Sequence, residues 1–155
     1  MTHEHLGTHR YTILNVDDNE VGRYATSRIL HKEGFRVREA STGEEALRRA
    51  AEKPDLIVLD VHLPDMSGFE VCRKIKADPA ISHIPILHLS ATYTDAESKA
   101  EGLESGADSY LTQPVEPIVL ISTIRALLRM HEAERRALLA VRHWQTTFEA
   151  ISDGV

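Results

Sequence analysis

Tyr11-Thr12-Ile13-Leu14-Asn15-Val16-Asp17-Asp18 and Leu56-Ile57-Val58-Leu59-Asp60 are the stretches whose reading decides the fold. Each is a short apolar run that stops on aspartate. Runs of this length read as strands buried on both faces, the condition of a parallel sheet. In such sheets, ligands bind beyond the carboxyl ends of the strands. Asp17, Asp18 and Asp60 are thereby gathered at one edge, where three carboxylates repel one another unless a cation sits among them. Oxygen ligands with room for water and a phosphate suit Mg2+. The pattern predicts a divalent-metal site that handles a phosphoryl group.

Outward from the first run, the spacing turns helical. Val21, Tyr24, Ala25 and Ile29, with the stem of Arg28, recur at threes and fours until Gly34 stops the helix. Asp18 or Asn19 is its candidate cap. Phe35 to Ala40 alternates and reads as a strand near an edge. Ser41 or Thr42 then begins a second helix, ended by Pro54. Beyond Asp60 lie the loop His62-Leu63-Pro64-Asp65-Met66-Ser67-Gly68 and a helix with Phe69, Val71, Cys72 and Ile75. Cys72 reads there as a buried or half-buried structural thiol. Pro79 and Pro85 bracket a connector to a fourth strand, Ile86-Leu87-His88-Leu89. Thr94 and Asp95 open a fourth helix that ends near Gly106. Ser109-Tyr110-Leu111 is a short fifth strand, followed by Gln113-Pro114 and a long final helix. Strands alternating with helices at this spacing predict an α/β fold, a doubly wound five-stranded parallel sheet with right-handed crossovers.

Composition narrows the function classes. With 42% hydrophobic and 27% charged residues, the 155-residue chain reads as a soluble globular protein. A net charge of -6 argues against a nucleic-acid surface and gives no support for anionic membranes. The single cysteine rules out an intramolecular disulfide and favours an intracellular setting. No stretch approaches the roughly 20 apolar residues of a membrane span, and the polar start lacks a signal peptide's apolar region, so a cytoplasmic location is expected. His3, His5 and His9 lie in the polar first ten residues, where a flexible terminus weakens any metal reading of the His-x-His spacing.

Residues read off the ends of strands one, three, four and five are Asp17, Asp18, Asp60, Ser90 and Gln113. Asp60 is positioned as a nucleophile whose oxygen attacks phosphorus to give an acyl phosphate. Asp17 and Asp18 are positioned to hold the metal, and the Ser90 hydroxyl to donate to a phosphoryl oxygen. A lone aspartate after a strand is ordinarily a turn former or helix cap; the joint placement carries the functional reading. The loop after strand one has no Gly-rich phosphate cradle, which argues against a nucleotide or flavin. His62 occupies the position where an aspartate-nucleophile phosphatase would carry its second aspartate.

Val16-Asp17-Asp18-Asn19, Leu59-Asp60-Val61-His62-Leu63-Pro64-Asp65-Met66-Ser67-Gly68, Leu89-Ser90-Ala91 and Gly106-Ala107-Asp108-Ser109-Tyr110-Leu111-Thr112-Gln113-Pro114 together carry a family resemblance. The chain resembles a response regulator receiver domain, the CheY-like phosphoacceptor module of two-component signalling, over about residues 10 to 130. The resemblance implies a flavodoxin-like strand order 2-1-3-4-5. It implies that Asp60 takes a phosphoryl group from a histidine kinase or phosphotransfer protein. It further implies Mg2+ held by Asp17 or Asp18, Asp60 and the backbone carbonyl of His62, with Ser90 moving toward the phosphate. Tyr110 would be an aromatic rotamer switch. The pattern breaks at Gln113, where the family expects lysine. Gln donates a hydrogen bond but carries no charge, so neutralisation falls more heavily on Mg2+ and transfer is expected to be slower. The alternative is a degenerate receiver, a docking or dimerisation module that works without phosphorylation.

The final helix outruns a receiver. Leu120, Ile124, Leu127, His131, Glu134, Leu138, Val141, Gln145 and Phe148 follow steps of four and three, which suggests a coiled-coil-like seam and a homodimer through this helix. The other reading is a single amphipathic helix lying on its own domain. Residues Trp144 to Val155 resemble the opening of a PAS sensory domain. The expected organisation is a flexible tail over 1–10, a receiver over 11–130, and over 131–155 a helical linker leading into a truncated PAS-like segment. The segment reads as a phosphoacceptor rather than a classical enzyme. A histidine kinase or other output would lie in the full-length protein, and no DNA-recognition helix is evident here.

Overall fold

Strands and helices alternate in the computed structural model: β1 (Thr12–Val16), α1 (Glu20–Lys32), β2 (Arg36–Ala40), α2 (Gly43–Ala50), β3 (Leu56–Leu59), α3 (Gly68–Ala77), β4 (Ile86–Ser90), α4 (Ala96–Glu104), β5 (Ser109–Thr112) and α5 (Pro117–Asp153). The structure describes residues 11–91 and 96–153, and the side chains of these except 143 and 145–153. The 1–10 tail with its three histidines, the helix-opening Thr94 and Asp95, and the side chains of Gln145 and Phe148 lie outside that description. So do residues 154–155 and the other side chains of the PAS-like stretch after Trp144.

All pairings are parallel, in the order β2-β1-β3-β4-β5. This is the doubly wound, flavodoxin-like arrangement expected. Register aligns Val16 with Ala40 and Leu59, and Leu59 with His88, so the carboxyl ends finish level. Alternate strand residues feed two cores. Leu14, Val16, Ile57, Leu59 and Ile86 meet Ala46 of α2 and Val71, Cys72 and Ile75 of α3. Ile13, Leu56, Val58, Leu87 and Leu89 meet Leu30 of α1 and Leu120, Ile124 and Leu128 of α5. Each such valine, leucine or isoleucine side chain, fully enclosed, contributes about 1.5–3 kcal/mol. Cys72 is fully buried, as expected of a structural thiol.

Caps fix where α1, α2 and α3 begin. The side chain of Asn19 accepts from Gly22 N, Thr42 from Glu45 N, and Ser67 from Glu70 N. Gly34, at φ 94°, turns the chain after α1 in a conformation that side chains disfavour.

Two expectations need correction. The apolar repeat of α1 marks its buried face only in part: Ile29 packs against the core, but Val21 is 78% and Tyr24 61% exposed, while Thr26, Ser27 and Leu30 are buried. The reason is a polar contact. Asn15 Nδ2, on β1, donates to Arg23 O and to Ser27 Oγ, both at 3.0 Å, so polar groups satisfy one another inside the sheet–helix interface. The seam along α5 is also not continuous. Leu120, Ile124 and Leu127 are buried in the domain's own core, whereas Leu138 and Val141 are each 53% exposed. Tyr11 Oη donates to Glu132 Oε2, tying α5 to the start of β1 before its apolar residues come out into solvent. No helix among the described residues is long and apolar enough to cross a membrane.

Candidate functional site

Asp17 and Asp18 follow β1, and Asp60 follows β3 in the adjacent position of the sheet. Backbone bonds fix both exits: Asp17 N–H donates to Ala40 O and Asp60 N–H to Val16 O, each at 3.0 Å. The result is a cluster in which one carboxylate oxygen from each of Asp17, Asp18 and Asp60 lies within 4.8 Å of the others. Asp18 is exposed, while Asp17 and Asp60 are half-buried. The three acids predicted from the sequence are therefore brought together.

Their electrostatics follow from crowding without water. Desolvation, then the neighbouring Asp17 charge, pushes the Asp60 carboxyl up to about 6, although the backbone N–H groups of His62 and Val61 pull the other way. Burial likewise raises Asp17, opposed by the Asn19 N–H and reinforced by the Asp18 charge. A hard divalent cation answers this arrangement: the donors are all oxygens, and the cluster's cost is charge repulsion. The residues present fit Mg2+.

The loop after Asp60 is held close. His62 N–H donates to Asp60 Oδ1 at 3.3 Å, and His62 forms an isolated bridge with Ser67. Gly68 N–H donates to Val61 O at 2.6 Å. A Cβ on Gly68 would sit 2.1 Å from Asp60 O, so only glycine allows α3 to start here. Asp65 reaches across to α2, accepting from Gly43 N (2.7 Å) and Glu44 N (2.9 Å), which lower its carboxyl pKa. These bonds make the loop part of the scaffold.

Ser90 ends β4, fully buried, and its carbonyl accepts from Gln113 N at 2.9 Å. The strand ends thus carry Ser90 and Gln113 side by side, Ser90 on the strand next to Asp60's and Gln113 after the strand beyond it. Gln113 also lines a cavity of about 360 Å3 with Gly22, Ala25, Ala91 and Leu120. Tyr110 lies opposite His88 in register, with ring centroids 5.9 Å apart. A Cβ on Gly102 of α4 would meet its ring at 2.5 Å, so the tyrosine packs directly on that helix.

Sequence reasoning missed several participants. His88 is fully buried between Phe69, edge-on at 5.2 Å, and Tyr110. Its Nδ1 contacts Leu59 O at 3.2 Å, and its Nε2 has no hydrogen-bond partner among the described residues. Burial lowers its pKa to about 4, against the pull of that carbonyl. Arg23 Nη1 donates to Asp17 O at 2.8 Å. An apolar-periodicity reading assigns neither residue a role, because each acts through a polar contact with a backbone carbonyl, which such a pattern does not register.

A family model described as the response regulator receiver domain matches residues 13–125. Transcriptional regulatory protein AfsQ1 of Streptomyces coelicolor is 44% identical over 124 residues, covering 79% of this chain and 53% of that protein. The chain spans about half the length of this curated relative. A CheY-like receiver domain protein of Methanospirillum hungatei superimposes with a TM-score of 0.74 at 31% identity, over 80% of this chain and 98% of that one. The receiver domain of the sensor histidine kinase PA1611 of Pseudomonas aeruginosa, described with a magnesium ion in its active-site cleft, gives 0.70 at 28% identity, over 76% and 97%.

Proposed function

The chain belongs to the response regulator receiver domain family, and from that premise we propose that it is an active phosphoacceptor of a two-component system, with Asp60 as the residue phosphorylated. The observation that carries the reading is the oxygen cluster of Asp17, Asp18 and Asp60 at the carboxyl edge of the sheet. Mg2+ would be held by Asp17 or Asp18, by Asp60 and by the backbone carbonyl of His62. When bound, it supplies charge neutralisation for the phosphoryl oxygens. The magnesium described for the Pseudomonas relative supports this choice.

The chain's own groups do the rest. An Asp60 oxygen attacks phosphorus in line, the bond to the donor's imidazole nitrogen breaks, and an acyl phosphate forms on Asp60. The His62 N–H, already 3.3 Å from Asp60 Oδ1, orients the nucleophile. Ser90 donates its hydroxyl to the transferred group, and Gln113 donates an amide N–H where a lysine would add charge. Tyr110, packed on Gly102 of α4, is the group through which that face senses the site.

Residues 11–130 form the receiver unit, with 131–155 as a helical linker toward a PAS-like segment. The exposed Leu138, Leu139 and Val141 support pairing of two such helices beyond the receiver. The donor partner is a histidine kinase or phosphotransfer protein, and a cytoplasmic location accords with that. Beryllofluoride with Mg2+ tests the site: a protein-bound fluorine NMR signal is expected, and its persistence in Asp60→Asn would overturn the assignment. Gln113 favours a second reading, a docking module that is never phosphorylated. Absence of any adduct in the unaltered chain would select it.

A further inference from the structure

The turn that carries Asp17 and Asp18 is anchored from below by a closed polar ring. Asn15, 1% exposed, donates to the carbonyl of Arg23 and to Ser27 Oγ. Ser27, 4% exposed, donates to Glu39 Oε2 at 2.5 Å. Glu39, on β2, accepts from Arg23 Nε at 3.1 Å. Arg23 Nη1 then leaves the ring and donates to Asp17 O at 2.8 Å. One guanidinium therefore spans from β2 to the backbone of the first acid, using the planar fork that only arginine offers.

We propose that Arg23 is a positioning residue of the metal site: by joining Asp17 O to Glu39 it fixes the turn that presents Asp17 and Asp18 to the cation. This rests on the metal-site reading above. The arginine acts through location. Its charge is matched by Glu39, and the pair is removed from the cation by the Asp17 peptide. Without the bridge, the Asp17 N–H bond to Ala40 O still holds the strand exit, but mutual repulsion of the carboxylates favours opening of the turn beyond it in the absence of metal. Groups that orient metal ligands typically govern about 10–100-fold in metal affinity. The chain's loss of the Gln113-position cation makes metal affinity the quantity on which this site turns.

The decisive variant is Arg23→Met with Glu39→Gln, which removes the bridge without changing net charge. Calorimetric titration with Mg2+ is expected to show about a tenfold weaker Kd, measured well below the unfolding midpoint. In acetyl phosphate assays the half-saturating Mg2+ concentration rises by the same factor, while the limiting rate at saturating Mg2+ is retained. Arg23→Lys keeps the charge and one of the two bonds, so its Kd falls between those of the unaltered chain and the double variant. It also decides the matter if the double variant does not fold. An unchanged Mg2+ Kd in these variants would overturn the role of Arg23 alone. Failure of the unaltered chain to bind Mg2+ would overturn the site itself, and this inference with it.

Discussion

Asp60 and His88 stand one residue apart across neighbouring strands, since Leu59 pairs with His88, yet burial makes opposite things of them. Asp60 is at the mouth of the sheet, half-exposed, its carboxyl raised to about 6 by lost water and a neighbouring acid. His88 is one layer in, wholly enclosed, its imidazole lowered to about 4. Both are pushed toward neutrality. The difference is that the mouth is open to a cation or phosphoryl group that can meet its cost, and the inner layer is not. A polar group at the edge is conditional chemistry; the same group one step inward is a fixed term in folding.

The sharpest way to break that contrast is acid. His88 takes up a proton more readily unfolded, near 6.5, than folded, near 4. Its contribution is therefore complete above pH 6.5 and is lost as pH falls through 4, amounting to about 3 kcal/mol. Asp60, with a raised pKa, has the reverse sign: what it contributes is present below its unfolded pKa and lost as pH rises through 6. Removing the histidine should isolate the difference. His88→Leu is expected to gain about 3 kcal/mol relative to the unaltered chain as pH drops from 7 to 4, in urea unfolding without metal. A gap that stays constant with pH would contradict burial as the cause.

A smaller effect sharpens the contrast from the mouth side. Gln113→Lys adds a cation beside Ser90, where a charged donor is worth roughly twice a neutral one. Phosphorylation of Asp60 by acetyl phosphate is expected to quicken about tenfold, the equivalent of about 1.4 kcal/mol. Its dependence on Mg2+ should relax as well. An unaltered rate would mean that Gln113 already does all that the position requires.

The smallest effect lies along α5, where the same division between covered and uncovered recurs. Ile124 is fully buried and Leu138 is 53% exposed on one continuous helix. Leu138→Glu should change monomer stability by less than about 0.5 kcal/mol, yet shift the chain toward monomer in sedimentation if two such helices pair. A stability loss as large as that expected for Ile124→Ala, about 2–5 kcal/mol, would show instead that the exposed segment folds back on its own domain.

How much of this was legible depends on what a sequence pattern can register. The sheet and its acidic edge were, because two apolar runs end on aspartate and their strand character follows from local chemistry. The buried side of α1 was not. Asn15 and Ser27 are buried because each satisfies the other across an interface, a fact that residue polarity conceals. Asp65 was readable only as part of a loop motif. Its caps on Gly43 and Glu44 link positions brought together by folding. The seam of α5 failed at its first positions for a related reason: Leu120, Ile124 and Leu127 have the spacing for a partner helix, and the sheet is the partner they find. His88 was read as one more residue of an apolar strand. Its cost appears only once its Nε2 is seen to lack a partner among the described residues.

Intact mass spectrometry after treatment with acetyl phosphate and Mg2+ tests the central claim most directly. The unaltered chain should gain one phosphoryl group that hydroxylamine removes, as an acyl phosphate requires, and Asp60→Asn should gain none. An adduct that survives in Asp60→Asn, or one that resists hydroxylamine, would contradict the account.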